Sequence, residues 1–562
     1  MTKSSFFWEK LEKYSSHILN LIAIFNFQLL ILNVIKFDRV FLSNYAQYSI
    51  YFLIFYKFVT LIKTKNLKTY FWNSISDLIF IFIGLSVYQS ERVFELYILG
   101  RQTFFAIRTL TSSGEKASLI DKLSENPPVL VLFSFLLTIF IGTLLLLLPS
   151  ATVRGEITSI VGALFTSTSA TCVTGLIVYD TGTHFTLFGQ LIILFLIQVG
   201  GLGIMTVSSA FAIMLGQRLS IKNESLIQNV VGEKSNVDMM NLLKNVFIVT
   251  IIFELVGAFI MYFHFRNEFI SNNYAIYSAV FHSISSFCNA GFSLFSDNMM
   301  NYSTNFNINF VVTSLIIIGG IGFPVMVDIS KNIKKGFTLS RLSLHTKMVL
   351  TGTVALLIVG FIGFFIAEYN TTMKDQSLVF RIFTSFFQSV TTRTAGFNTI
   401  DTGALSKASV LLSCILMFIG ASPGSTAGGI KTTALMVIFI SVFALFQGNR
   451  DVNIFKRRIS KDIIYRVLAL IALSVSLLTI MIFLLLMIEP FSLEKIVFEA
   501  ISAFGTVGLS MGLTPLLSDF SKLIIILLMY LGRVGPLTLI FALTEKKLVS
   551  NYSYTKERIT IG

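Results

Sequence analysis

The sequence predicts an all-α polytopic membrane protein, and three observations carry that expectation. Hydrophobic residues make up 54% of the 562 and charged ones only 13%, against about 25% charged in a soluble domain; mean hydropathy is +0.78. Apolar runs of about 20 residues, the length a helix needs to cross the hydrocarbon core, recur along the whole chain. Four polar, glycine-containing stretches interrupt those runs at near-constant spacing. A β-barrel is excluded, because the runs do not alternate polar and apolar residues.

The elements follow in order. "MTKSSFFWEKLEKYSSH" is mixed and polar, and no small-residue cleavage site follows the first apolar run, so the first helix is expected to stay as an anchor. Candidate spans at 16–35, 45–62, 72–89 and 94–111 form an N-terminal transmembrane bundle, 1–111. "TSSGEKASLIDKLSENPP" then reads as a linker, 112–128, whose Pro127 and Pro128 suit the start of the next helix. Four units follow, each a long apolar helix, a short semi-apolar segment, a glycine stretch and a second apolar helix. Their bounds are 129–215, 216–330, 331–448 and 449–545, with a tail at 546–562. Cys172, Cys288 and Cys414 lie in or beside apolar segments with no CxxC or Cys/His cluster, so they read as small buried hydrophobes.

The glycine stretches are "FTSTSATCVTGLIVYDT" (165–181), "HSISSFCNAGFSLFSDN" (282–298), "FQSVTTRTAGFNTIDTG" (387–403) and "ISAFGTVGLSMGLTPLL" (501–517). From Gly175 to Gly291, Gly396 and Gly508 the steps are 116, 105 and 112 residues, which marks an internal repeat. The net charge of +14 does not point to nucleic acid, because the basic residues gather in short connecting segments: 216–244, 331–347, 449–466 and the tail after 544. Positive segments stay on the cytoplasmic side. The glycine stretches therefore enter from the outside as re-entrant loops, and four preceding helices keep the N-terminal lysines inside as well.

Lipid cannot satisfy irregular backbone, so such loops need a wet path or burial in protein. Four of them meeting on one axis can place rings of carbonyl oxygens around a dehydrated cation. Glycine tolerates the backbone angles that aim successive carbonyls one way. The segments at about 157–169, 275–287, 378–391 and 494–504 suit short helices whose C-terminal dipole ends favour a cation. No ring of Asp or Glu stands in register with the glycines, which disfavours a divalent ion and favours K⁺.

"TSATCVTGLIVYDTGTHF", "SSFCNAGFSLF", "VTTRTAGFNTID" and "FEAISAFGTVGLSMGLTP", with "QVGGLGIMT" and "GASPGSTAGGIKTT" between them, resemble the Trk/Ktr/HKT superfamily of K⁺ transporters, and within it the bacterial KtrB/TrkH translocation subunits. The resemblance covers about 125–545. It implies four M1–P–M2 pore-loop repeats in pseudo-fourfold arrangement, with a selectivity filter at Cys172, Val173, Thr174 and Gly175; Cys288, Asn289, Ala290 and Gly291; Arg393, Thr394, Ala395 and Gly396; and Gly505, Thr506, Val507 and Gly508. Glycine rather than serine at position 175 goes with K⁺ over Na⁺ in plant relatives.

"GASPGSTAGGIKTT" breaks the second helix of the third unit. The apolar run before it, from Lys407, is too short to span, so a break inside the bilayer is favoured over an outside loop. The resemblance implies an intramembrane gate there: Gly420, Ser422, Pro423, Gly424, Ser425, Thr426, Gly428, Gly429 and Lys431, faced by Arg533 of the last helix. Arg533 can donate to loop carbonyls and repel cations, or it can snorkel to the cytoplasmic edge; Lys431 has the same two readings. Arg393 is expected to brace the filter backbone. Asp180 and Asp401 either attract cations at the outer mouth or cap the following helix.

Within the N-terminal block, "KTYFWNSISDLIFIFIGL" and "ELYILGRQTFFAIRTL" faintly resemble two helices of a voltage-sensor-type bundle, with only Arg101 and Arg108 as gating charges; an accessory packing bundle is the alternative. An enzyme is disfavoured: there are five histidines, no HExxH, no nucleophile motif and no P-loop. The expected function is K⁺ uptake across the bacterial cytoplasmic (inner) membrane, with a Na⁺-dependent or Na⁺-selective transporter as the alternative. No permanently bound cofactor is expected, K⁺ or Na⁺ being cargo or coupling ion. The resemblance further implies a cytosolic nucleotide-binding regulatory ring of the KtrA/TrkA type and a homodimer.

Overall fold

The computed structural model describes residues 127–202, 239–333, 336, 338–449 and 451–535. The expected N-terminal bundle, most of the linker and the tail lie outside them. The described chain is almost wholly helical. The first unit contains α1 (Pro127–Leu146), α2 (Ile160–Thr171) and α3 (Leu187–Gly201). The second contains α4 (Met239–Glu268), α5 (Asn272–Phe287), α6 (Phe306–Ile321) and α7 (Phe323–Ile333). The third contains α8 (Leu344–Glu368), α9 (Leu378–Thr391), α10 (Lys407–Phe418) and α11 (Thr432–Phe446). A two-residue-per-strand hairpin, β1 (Asn453–Ile454) with β2 (Arg457–Arg458), leads to the fourth: α12 (Lys461–Ile488), α13 (Leu493–Gly505) and α14 (Asp519–Val534).

Local chemistry starts these helices. Hydroxyl and amide side chains at Ser159, Thr186, Ser271, Asn305, Ser343, Ser406 and Ser518 each accept a backbone N–H from the first turn that follows. Among the described residues, three helices are long and apolar enough to cross a membrane: Val246–Glu268 within α4, α8 and α12. Their outward faces expose Leu255, Phe259, Ile358, Ile366, Ile480 and Phe483, as lipid contact requires. By contrast α2, α5, α9 and α13 have 12, 16, 14 and 13 residues, about 18–24 Å at 1.5 Å per residue, and do not reach across the core. They are packed inside, with Ser167, Thr168, Ser285, Ser286, Ser389 and Ser502 fully buried.

The units close on themselves. The second helix of each packs on the short helix of the next: α3 on α5, α6 on α9, α10 on α13 and α14 on α2. Tyr530 Oη donates to the Leu132 carbonyl at 2.9 Å, joining the last unit to the first. The second helix of unit three stops at Phe418 and resumes at Thr432. Unit two also breaks, which the sequence analysis did not anticipate. The α6–α7 pair bends by 94° at Gly322, where φ is 98°, and Pro324 follows in a position that removes a helix donor.

Candidate functional site: four glycine loops and the broken helix beside them

Each short helix ends in a loop with the same backbone. Two residues before each glycine the chain is left-handed, at Val173, Asn289, Thr394 and Thr506 (φ 58°, 60°, 68° and 50°), and each glycine is left-handed too (91°, 69°, 75° and 94°). A non-glycine residue in this region costs about 1–2 kcal/mol, so three β-branched residues hold the conformation against their preference. The loops meet edge to edge. A Cβ on Gly175 would collide with the Ala290 carbonyl, one on Gly396 with that of Val507 and one on Gly508 with that of Thr174; on Gly291 it would lie 2.9 Å from the Ala395 carbonyl. Each glycine thus faces the next loop in cyclic order, and the fourth returns to the first.

Hydroxyls from the short helices hold the loops from behind, a feature sequence reasoning missed. The Gly175 N–H donates to Ser169 Oγ at 3.1 Å and the Gly508 N–H to Ser502 Oγ at 3.2 Å. In the other two loops the sense reverses: Ser285 Oγ donates to the Phe292 carbonyl at 2.7 Å and Thr391 Oγ1 to that of Phe397. The serines at 169, 285 and 502 share one spacing from their glycines, so the repeat alignment already contained this signal.

Arg393 does not brace the filter backbone as expected. It is buried, and its Nε has no partner among the described residues. Cys172 and Cys288 are fully buried and unbridged. Asp180 caps the one-turn helix Thr181–His184 and Asp401 the 3₁₀ turn Thr402–Ala404; the longer helices that follow are capped by Thr186 and Ser406 instead.

The segment 420–431 lies against the inner ends of these loops. Ser422 N–H and Thr426 N–H donate to the Gly320 and Gly319 carbonyls at 3.1 and 3.4 Å, and Phe323 N–H, at the α6–α7 bend, donates to the Gly424 carbonyl at 3.0 Å. Thr426 Oγ1 donates to the Phe287 carbonyl at the end of α5. A Cβ on Gly428 would collide with Thr506 Oγ1, and one on Gly429 would lie 3.4 Å from the Gly505 carbonyl. The segment therefore crosses from unit two to unit four. Lys431 Nζ turns back into it, donating to the Ala427 carbonyl at 2.7 Å and Gly428 at 3.4 Å. Arg533, 4% exposed, reaches it from α14: one Nη donates to the Thr426 carbonyl and the other to Gly200 of α3, while Nε is left without a partner.

Buried carboxyls were also missed, because the sequence showed each alone in an apolar run. Glu254 meets Gln198 and Cys288. Glu499 of α13 accepts Ser510 Oγ at 3.1 Å and Thr514 Oγ1, and its Oε2 has no partner. At the far end of the spans, Glu368 accepts Ser406 N–H and Glu489 accepts Ser518 N–H, both at 2.9 Å, stapling first helix to second in units three and four. Burial works against ionisation of Glu489, but the hydroxyls of Ser518 and Ser521 outweigh it and hold the carboxyl below its ordinary range.

A helical membrane protein whose glycine loops ring one centre is of the cation-transport class, and comparison with known proteins places it there. The family model "TrkH: Cation transport protein" matches residues 97–551. The match reaches back through the linker into the last of the four expected N-terminal spans, farther than the motifs alone. The chain is 41% identical over 450 residues to Ktr system potassium uptake protein B of Bacillus subtilis, covering 80% of this chain and 99% of that one. It is 38% identical over 444 residues to the potassium/sodium uptake protein NtpJ of Enterococcus hirae, covering 78% and 97%. The crystal structure of the potassium transporter TrkH from Vibrio parahaemolyticus superposes with a TM-score of 0.60 at 18% identity, over 75% of this chain and 85% of that one. The chain belongs to the TrkH family of cation transport proteins.

Proposed function

We propose that this chain carries K⁺ into the bacterial cell across the cytoplasmic membrane, through a carbonyl-lined pore at the centre of the four loops. The observation that carries it is the closed cycle of glycines, each against the next loop's backbone. We read positive φ at each glycine and two residues before it as turning successive carbonyls to one side, and such oxygens replace the hydration shell of an alkali ion. The four units are read as M1–P–M2 repeats about a pseudo-fourfold axis. The segment 420–431 is the gate: Arg533 and Lys431 hold it across the path and oppose a cation there. The membrane potential supplies the drive, about 2.3 kcal/mol per charge per 100 mV.

The word "system" in the name of the B. subtilis relative supports a further subunit, and we assign gate control to a cytosolic nucleotide-binding ring of the KtrA/TrkA type acting on a homodimer of this chain. The potassium/sodium name of the E. hirae relative favours a second reading, in which Na⁺ is coupled or carried. Complementation of a bacterium deficient in K⁺ uptake tests the first. The wild-type chain restores growth in low K⁺ and Gly291→Ser does not. Rescue that depends on added Na⁺ supports the second reading, and failure of the expressed, membrane-inserted wild-type chain to rescue refutes both.

A further inference from the structure

Three of the four units tie the first helix to the short helix in the same way. Ser167 Oγ donates to the Ile139 carbonyl at 2.7 Å, Ser283 Oγ to that of Glu254 at 2.6 Å, and Ser389 Oγ to that of Leu357 at 2.8 Å. Three residues after each acceptor stands a glycine, Gly142, Gly257 or Gly360, where a Cβ would crowd the same hydroxyl. Ile139, Glu254 and Leu357 are therefore equivalent positions. The tie uses only their main chain, and two of the three carry plain aliphatic side chains. The carboxyl in unit two is not needed for it.

That carboxyl is 7% exposed and sits within the apolar span Val246–Glu268, where an ionisable group is costly and marks function. It is turned inward. Its Oε1 accepts the Cys288 thiol at 3.8 Å and its Oε2 accepts Gln198 Nε2 at 3.4 Å. Cys288 also donates to Gln198 Oε1 at 3.8 Å, closing a three-membered network. Cys288 directly precedes the left-handed Asn289 and stands two residues before Ala290, whose carbonyl abuts Gly175. Gln198 stands two residues before Gly200, the acceptor of Arg533.

We propose that Glu254 is a positioning residue for ion discrimination: through Cys288 it fixes the second glycine loop against α3, and so sets how far the unit-two carbonyls stand from the ion. This rests on the carbonyl-pore reading above. Other −3 positions have no acid partner: Cys172 is packed among apolar residues, and a Cβ on Gly505 would meet the Met417 carbonyl. The second loop alone is held by a carboxyl at this point among the described residues.

The test uses the full chain in liposomes under an imposed potential, measuring Rb⁺ (for K⁺) and Na⁺ uptake side by side. Glu254→Leu, which installs the residue unit three already uses, is expected to lower the Rb⁺/Na⁺ ratio about tenfold, the factor of one hydrogen bond to a carboxylate. Na⁺ uptake is expected to stay within about twofold by the same measure. Glu254→Gln, which keeps one acceptor, recovers most of the ratio. Cys288→Ala lowers it similarly, and adding Glu254→Leu to Cys288→Ala lowers it no further, because both break one network. An unchanged ratio in Glu254→Leu and Cys288→Ala, whether uptake is full or both ions fall together with folded protein, overturns the role. A wild-type chain that does not prefer Rb⁺ over Na⁺ overturns the selectivity reading itself, a separate result.

Discussion

The glycine ring and the segment 420–431 lie against each other but are built on different terms. Each loop of the ring is held mostly from within its own unit: the N–H groups of Thr174, Ala290 and Val507 return to the carbonyls of Ser169, Ser285 and Ser502 at 2.7, 2.7 and 2.9 Å. Hydroxyls of the same short helices add to this. The segment 420–431 has short bonds of its own, from Ser425 Oγ to the Ser422 carbonyl at 2.6 Å and from Lys431 Nζ to that of Ala427 at 2.7 Å, but it is anchored to the rest of the fold by Gly319 and Gly320, by Phe287 and by Arg533, residues more than a hundred positions away. Many short, repeated bonds make the ring stiff. A few long-range bonds, one from a buried guanidinium with an orphaned Nε, fasten the second region to its surroundings. The difference fits the proposed roles, selection in the first region and opening in the second.

The largest effect that would break this contrast is in the ring. Gly508→Ala adds a Cβ that collides with the Thr174 carbonyl and forces a left-handed alanine at about 1–2 kcal/mol; K⁺ uptake should be abolished in the complementation assay, and normal growth would remove Gly508 from the path. Next is Arg533→Ala. It deletes both bonds to carbonyls, each worth about 1.5–3 kcal/mol for a charged donor, so uptake without any regulatory partner should rise at least about tenfold. Flux that is unchanged or lower would mean Arg533 only packs. Smallest is Ser502→Ala, which removes a neutral hydrogen bond behind Gly508 worth about 1 kcal/mol. The Rb⁺/Na⁺ ratio should fall about fivefold with total flux kept; a change in flux at constant ratio would place the short-helix hydroxyls with opening rather than selection.

Much of this could be read along the chain. The short helix 378–391 was expected at those bounds, and the others within a few residues, because a semi-apolar run too short to span stands out between longer ones. The break after Phe418 was legible because four glycines and a proline cannot continue a helix. Arg393, three residues from Gly396, looked like a brace, but its Nε finds no partner among the described residues. Gly322 was passed over, since "GGIGFP" resembles an ordinary helix end until a 94° bend is seen. Glu254 was passed over because its partners, Gln198 and Cys288, come from two other helices.

The chain by itself indicated the membrane class and the near-regular spacing of the four glycines, since hydropathy and backbone permissiveness are properties of short stretches. Only the tertiary structure decided that the fourth loop closes on the first, that Arg533 bridges Thr426 and Gly200, and that the buried Glu254 carboxyl of α4 faces the Cys288 thiol beside the second glycine loop. Those contacts join residues far apart in sequence, and their partners are set by how helices pack side by side, which no local pattern encodes.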